Sequence, residues 1–367
     1  MQVICSKSDL TLAISMVQRA IASRSTMAIL EGILFTAEAD KLTLTGYDLE
    51  IGIEAVVQAD IREAGQLVVA SKIFGDIVRK LPEENVVIRC DNNYRMLIQS
   101  GQATFEIFAQ AADEYPVIPA VEDAQKLMLP QALLKNMIEE TYFAASNDES
   151  RPILNGIKVQ AEGNSFEMVA IDGYRLAVRR EEHSGKNEII NFIVPSKAMM
   201  EVARSISDTD GEIAIFASHN HILFETTSFR LVSRLLQGEF LSYERIIPPS
   251  CLTKMEVKTQ EMLAAIERAA LLGNVEQRRF PVSLKTVSEN ELQISAKTDV
   301  GSVEEYVTIE QSGEMIDIDF NPKYLLDALK VIKEEKINLE FSGHTAPCLI
   351  KPLEGDKFLY MLLPLRR

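Results

Sequence analysis

Three short runs hold the residues best suited to chemistry in this chain, and all three hold them at one spacing. Lys72, Asp76 and Arg79 recur as Lys197, Glu201 and Arg204, and again as Lys323, Asp327 and Lys330. In each run an acid stands four residues after the lysine and a base three further. An aliphatic residue closes it: Leu81, Ile206 or Ile332. On a helix these offsets put the three charges on one face, and the chemistry open to such a face is electrostatic. Two readings stand side by side. Each face is solvated and held by intrahelical pairs worth about a few tenths of a kcal/mol, or three equivalent helices line one common surface.

Motifs that would support bond-breaking chemistry are missing. The sequence has no P-loop, no G-x-G-x-x-G, no H-E-x-x-H and no G-x-S-x-G. His219-Asn220-His221 lies between two alternating runs and reads as a hairpin turn, and with His183 and His344 far away no metal site is expected. Cys5, Cys90, Cys251 and Cys348 are single and far apart, as expected of inert thiols in a reducing cytoplasm. No catalytic residue and no cofactor is expected.

The elements that must position the charged runs repeat with them. The period is 125 and then 126 residues, too long for a solenoid unit and right for a small domain copied twice. Each copy reads as a strand and a helix, more strands, a second helix, and hairpins. The helices are expected at 7–24 and 71–81, 130–146 and 196–206, and 259–274 and 322–333. In the second helix the apolar positions 73, 74, 77, 78 and 81 form one stripe, expected to be core. Gly46-Tyr47-Asp48-Leu49 matches Gly173-Tyr174-Arg175-Leu176, and Phe105-Glu106-Ile107-Phe108 matches Phe229-Arg230-Leu231-Val232. Period-two runs such as Val86–Cys90 and Glu212–Phe216 read as hairpin strands. Linkers near 120–127 and 248–254 divide the chain into expected domains at 1–120, 128–248 and 254–367.

The bulk composition, 47% hydrophobic and 25% charged over 367 residues, is that of ordinary soluble globular protein. No stretch approaches the roughly 18 apolar residues of a membrane span, and the first residues lack the pattern of a secretion signal. A net charge of −16 argues at first against nucleic acid. Its distribution points the other way, because the six expected helices sum to +5 and leave −21 on the rest. Local field, not net charge, decides what a surface attracts.

Four features together resemble the bacterial DNA polymerase III beta subunit family, the sliding clamps, over the whole chain. They are the triple Lys-bearing helix, Ala170-Ile171-Asp172-Gly173-Tyr174-Arg175-Leu176-Ala177, Gly238 to Pro248 with its Tyr243-Glu244-Arg245, and the C-terminal Leu362-Leu363-Pro364-Leu365-Arg366. The resemblance implies an α+β fold of three repeated clamp domains, helices inside and sheets outside, closing a ring as a head-to-tail homodimer around duplex DNA. It implies no enzyme activity. It makes Arg24, Lys72, Arg79, Lys197, Arg204 and Lys323 candidates for facing DNA, with Arg24 the foremost. The expected partners are double-stranded DNA, bound without regard to sequence, and the polymerase III catalytic subunit, clamp loader and repair proteins, bound through short extended peptides.

Carried over position by position, the peptide pocket would be lined by Leu154, Gly173, Tyr174, Arg175, Leu176, Arg245, Ile246, Met361, Leu363, Pro364, Leu365 and Arg366. The dimer seam would hold Phe105 and Ile107 on an edge strand and Leu271 and Leu272 at a helix end, for which domain core is the competing reading. This chain departs from the family pattern at Leu241, Ile171, Leu363, Leu365 and Asp148. A rival reading is a three-domain peptide-binding scaffold that does not encircle DNA.

Overall fold

The computed structural model describes residues 1–22, 25–122, 124–182, 190–206, 211–273 and 280–366. Among these, the first repeat runs β1 (Gln2–Ser6), α1 (Lys7–Val17), β2 (Gly32–Glu38), β3 (Lys41–Tyr47), β4 (Ile51–Glu63), β5 (Gly65–Ala70), α2 (Ser71–Lys80), β6 (Asn85–Cys90), β7 (Arg95–Ser100) and β8 (Ala103–Gln110). The second runs β9 (Gln125–Pro130), α3 (Gln131–Tyr142), β10 (Gly156–Glu162), β11 (Ser165–Ile171), β12 (Arg175–Glu182), β13 (Ile190–Pro195), α4 (Ser196–Ser205), β14 (Glu212–Ala217), β15 (His221–Glu225) and β16 (Phe229–Arg234). The third runs β17 (Thr253–Lys258), α5 (Thr259–Ala270), β18 (Val282–Ser288), β19 (Glu291–Thr298), β20 (Gly301–Gly313), β21 (Asp317–Phe320), α6 (Pro322–Val331), β22 (Lys336–Phe341), β23 (Cys348–Pro352) and β24 (Phe358–Leu362). The order of strands and helices is the same three times.

Helix starts follow the local signals. Ser6 caps α1 by accepting the Asp9 N–H, and Asn321 caps α6 by accepting the Lys323 N–H, with Pro322 at the first helical position. The expected helix over 7–24 is shorter: α1 stops at Val17, a 3₁₀ turn covers Gln18–Ala20, and Arg24 lies outside the described residues. His183 does too. Within α2 the apolar stripe is partly core. Phe74 and Val78 are fully buried, each worth about 1.5–3 kcal/mol, and Phe74 meets Phe35 edge-on at 5.1 Å. Ile73, expected in the core, is 50% exposed.

The chain forms two compact units, Met1–Leu133 with Glu201–Leu235, and Leu134–Met200 with Leu236–Arg367. Each holds one antiparallel 12-stranded sheet, and each sheet joins strands of two repeats. In the first unit β4 pairs with β16, Ile53 opposite Leu231 and Glu54 opposite Arg230. In the second, β12 pairs with β24, Ala177 opposite Tyr360 and Leu176 opposite Met361. These two junctions occupy the same place in their repeats.

The registers correct two of the expected matches. Tyr47 pairs with Gly52 across its hairpin as Ile171 pairs with Leu176, so Tyr47 corresponds to Ile171, not to Tyr174. The shared Gly-Tyr-x-Leu is a coincidence three residues out of register. In the same way Phe105 lies opposite Ile98 as Leu231 lies opposite Phe224, which makes Phe105 the counterpart of Leu231 and not of Phe229.

Candidate functional site

The most concentrated chemistry in the second unit is built around the β11–β12 hairpin. Asp172 Oδ1 accepts the N–H groups of Tyr174 (2.8 Å) and Arg175 (3.0 Å), closing a tight turn. Gly173 takes φ +92°, where glycine carries no side-chain penalty. The turn throws Tyr174 outward, 51% exposed, and tucks Arg175 inward. Arg175 Nε donates to Asp172 Oδ2 (3.0 Å) and Nη1 to Asp327 Oδ2 (2.6 Å). Its guanidinium lies 4.6 Å from the centre of the Tyr324 ring, and Tyr174 stacks on that ring at 6.2 Å.

The C-terminal tail is held against this loop. Leu363 N–H donates to the Tyr174 carbonyl and Leu365 N–H to the Asp319 carbonyl, each at 2.8 Å. Leu363, Pro364, Leu365 and Arg366 thereby line a cleft of about 770 Å³, whose other wall is Asp317, Ile318, Asp319, His344 and Thr345. Beneath the hairpin lies an apolar cluster of Val169, Ile171, Leu176, Val178, Tyr243, Leu349, Leu359 and Met361, with Leu154, Phe240 and Ile247 packed on it. The Tyr243 hydroxyl donates to Glu167 Oε1 (2.6 Å), and burial followed by that carboxylate pushes its pKa up. The ring is thereby pinned as part of the floor.

The pocket residues named from the sequence fall into three groups. Leu154, Leu176 and Met361 belong to the apolar floor, with Leu176 wholly buried. Gly173, Tyr174 and Arg175 form the hairpin, and Leu363 to Arg366 the tail. Arg245 ends a 3₁₀ turn (Tyr243–Arg245), and the next residue, Ile246, is 38% exposed. Ile247, not Ile246, packs on the cluster. Sequence reasoning misses Tyr324, Phe240 and Ile247. Each sits within or beside a segment already singled out, yet only the packing shows which neighbour turns inward.

The charged triplets diverge in use. Lys72, Lys197 and Lys323 are exposed on their helices. Arg79 pairs with Asp76 at 2.7 Å within α2. Glu201 is only 6% exposed and takes Arg204 (3.0 Å) and Arg19 (3.5 Å), so the simple solvated-face reading fails for this acid. Asp327 is engaged by Arg175, as described above.

At the positions expected to form the seam, β8 pairs with β7 from Ala103 to Phe108 and with β5 only through Ala109 and Gln110. Among the described residues, its first six positions therefore keep one open edge. Phe105 is 38% exposed and Ile107 half-buried. Just past α5, Leu271 is 82% exposed and Leu272 half-buried.

Comparison with known proteins is consistent along the whole chain. Family models for the DNA polymerase III beta subunit match in chain order: the N-terminal domain over residues 1–119, the central domain over 128–241 and the C-terminal domain over 244–366. The beta sliding clamp of Bacillus subtilis is 34% identical over 371 residues, covering 98% of each chain. The crystal structure of the DNA polymerase sliding clamp from Bacillus subtilis superposes with a TM-score of 0.95 at 32% identity, covering 100% of this chain and 99% of that one. A sliding clamp from Pseudomonas aeruginosa, solved with griselimycin bound, gives a TM-score of 0.93 at 28% identity and full coverage of both chains.

Proposed function

The chain belongs to the DNA polymerase III beta subunit family, and from that premise we infer that it is a sliding clamp. It is a non-catalytic processivity subunit that encircles duplex DNA as a homodimer and tethers the replicative polymerase and other replication and repair proteins. The observation that carries this reading is the repeated strand junction. β4 receives β16, and β12 receives β24. The third members of these two sets are β20 and β8. Among the described residues, β20 pairs with β19 from Gly301 to Thr308 and with β17 only from Ile309 onward. Both therefore offer an open edge, which suits head-to-tail joining of two chains into a closed ring. The internal registers, carried over, would set Phe105 opposite Val303 of the second chain.

On this reading the clamp domains run 1–120, 128–248 and 254–367. Arg24, Lys72, Arg79, Lys197, Arg204 and Lys323 face the DNA. Phe105, Ile107, Leu271 and Leu272 hold the seam. The pocket of Leu154, Gly173 to Leu176, Arg245, Ile246, Met361 and Leu363 to Arg366 takes partner peptides, and the exposed Tyr174 beside buried Leu176 supports it. No helix among the described residues is long and apolar enough to cross a membrane, and we place the protein's work in the bacterial cytoplasm. A small basic excess suffices, because a closed ring is retained by topology and not by tight ionic contact. The test is retention on nicked circular DNA in salt that strips ordinary binders, with release on linearisation. Equal retention on both forms would support the scaffold that does not encircle DNA.

A further inference from the structure

The two strand junctions share one plan in detail. Asp48 Oδ1 accepts the N–H groups of Glu50 (3.0 Å) and Ile51 (2.7 Å), just as Asp172 does for its own two followers. Leu49 (φ +74°) and Gly173 (φ +92°) then share the left-handed conformation. Arg234 N–H bonds the Glu50 carbonyl at 3.1 Å where Leu363 N–H bonds that of Tyr174. Leu30 and Leu154 each precede a strand-opening glycine by two residues, and Tyr115 and Tyr243 each enter the buried cluster of their junction. The first junction thus repeats the turn and the buried Leu and Tyr of the second, but Thr45, Glu54 and Arg230 stand where the apolar floor of the second has Val169, Val178 and Leu359, and Arg230 Nη1 donates to Glu54 at 2.7 Å.

Two further differences separate them. Gly52 stands where the second junction has Leu176, each opposite the matching residue of its partner strand, Val232 or Met361. A Cβ on Gly52 would lie 2.6 Å from Ile118 Cδ1 and 2.8 Å from its Cγ1. Ile118 therefore sits directly on the β4 backbone and packs on the cluster of Leu30, Tyr47, Val68 and Tyr115. The second difference is at the rim, where Glu50 and Arg234 replace Tyr174 and Leu363.

We propose that the β4–β16 junction is a second apolar-anchor site, held closed by the chain's own Ile118, and that an extended peptide can seat one apolar side chain there in its place. This rests on reading the β12–β24 junction as the peptide pocket. Ile118 lies on the wall of an open groove of about 590 Å³, lined by Leu34, Val56 and Val117 but mostly by polar side chains such as Glu54, Gln66 and Arg230, with room for an extended backbone. Ile118 is itself only half-buried, and its neighbour Val117 is 89% exposed. The charged rim leaves room for one apolar anchor instead of two, so this site binds the more weakly.

The probe is a Gln-x-x-Leu-Phe peptide carrying a photo-cross-linker at the Leu position, used with the full chain. The unaltered chain should saturate at about one peptide, labelled at the β12–β24 junction. Ile118→Ala should add a second peptide, bound about tenfold more weakly and labelled between Tyr115 and Pro119 or at Arg234. Ile118→Ser should do the same, and the melting transition checks that each variant is folded. Removing Leu363 to Arg367 should abolish the first label and, combined with Ile118→Ala, leave only the second. The pocket reading fails if the truncated chain binds as the unaltered one does. The second site is overturned if folded Ile118→Ala and Ile118→Ser chains gain no label at the first junction, whichever way the truncation turns out.

Discussion

Arg175 donates to Asp327 over 2.6 Å, so an acid of the third charged triplet is engaged by an arginine of the second repeat. The same guanidinium holds Asp172 and lies over Tyr324, which fixes the Tyr174 hairpin and α6 as one piece beside the proposed pocket. In the three triplets the acids take different partners: Asp76 its own Arg79, Glu201 both Arg19 and Arg204, and Asp327 the distant Arg175. All three lysines keep an exposed place on their helices.

Asp327→Ala should lower stability by about 1.5–3 kcal/mol, the range for a hydrogen bond to a charged group, because it removes one of the two carboxylates that Arg175 holds among the described residues. Asp76→Ala removes an exposed pair and should cost less than about 0.5 kcal/mol. Urea unfolding of both variants checks this, and equal midpoints would contradict the distinction.

Light scattering at micromolar concentration should report about twice the 41.0 kDa chain mass. Ile107→Asp combined with Leu272→Asp should give a monomer, because each places a charge at a half-buried position of the proposed seam. A dimer that survives both changes would move the seam elsewhere.

Leu363→Ala should abolish binding of a Gln-x-x-Leu-Phe peptide while leaving dimer mass and thermal unfolding nearly intact. Leu176→Ala should damage both properties. Its side chain is fully buried in the floor, and truncating a buried leucine costs about 2–5 kcal/mol. Fluorescence polarisation and calorimetry on the two variants separate a wall residue from a floor residue.

Glu84 accepts hydrogen bonds from the Ser6 and Ser8 hydroxyls and the Ser8 N–H at the start of α1, which lowers its pKa from 4.5 to about 2. A depressed carboxyl pKa contributes stability that is present above the unfolded value and lost as pH falls from there toward the folded one. Glu84→Gln should therefore weaken the protein at neutral pH, with the difference from the unaltered chain shrinking between pH 4.5 and about 2. A difference that stays constant across that window would sink this assignment.

The sequence by itself determined the threefold repeat, the order of strands and helices and the positions of the charged triplets. These rest on local periodicity and capping, which neighbouring residues decide. The tertiary structure decided the registers. Tyr47 matches Tyr174 in sequence but Ile171 in space, and Phe105 matches Phe229 in sequence but Leu231 in space. A shift of one residue along a strand turns every side chain to the other face, and pairing with a distant strand sets that choice. The same dependence placed Leu176 in the floor, turned Ile247 inward instead of Ile246, left Ile73 exposed and brought Arg175 to Asp327. Each of these depends on what packs against the residue from far along the chain, and no pattern within its own element carries that information.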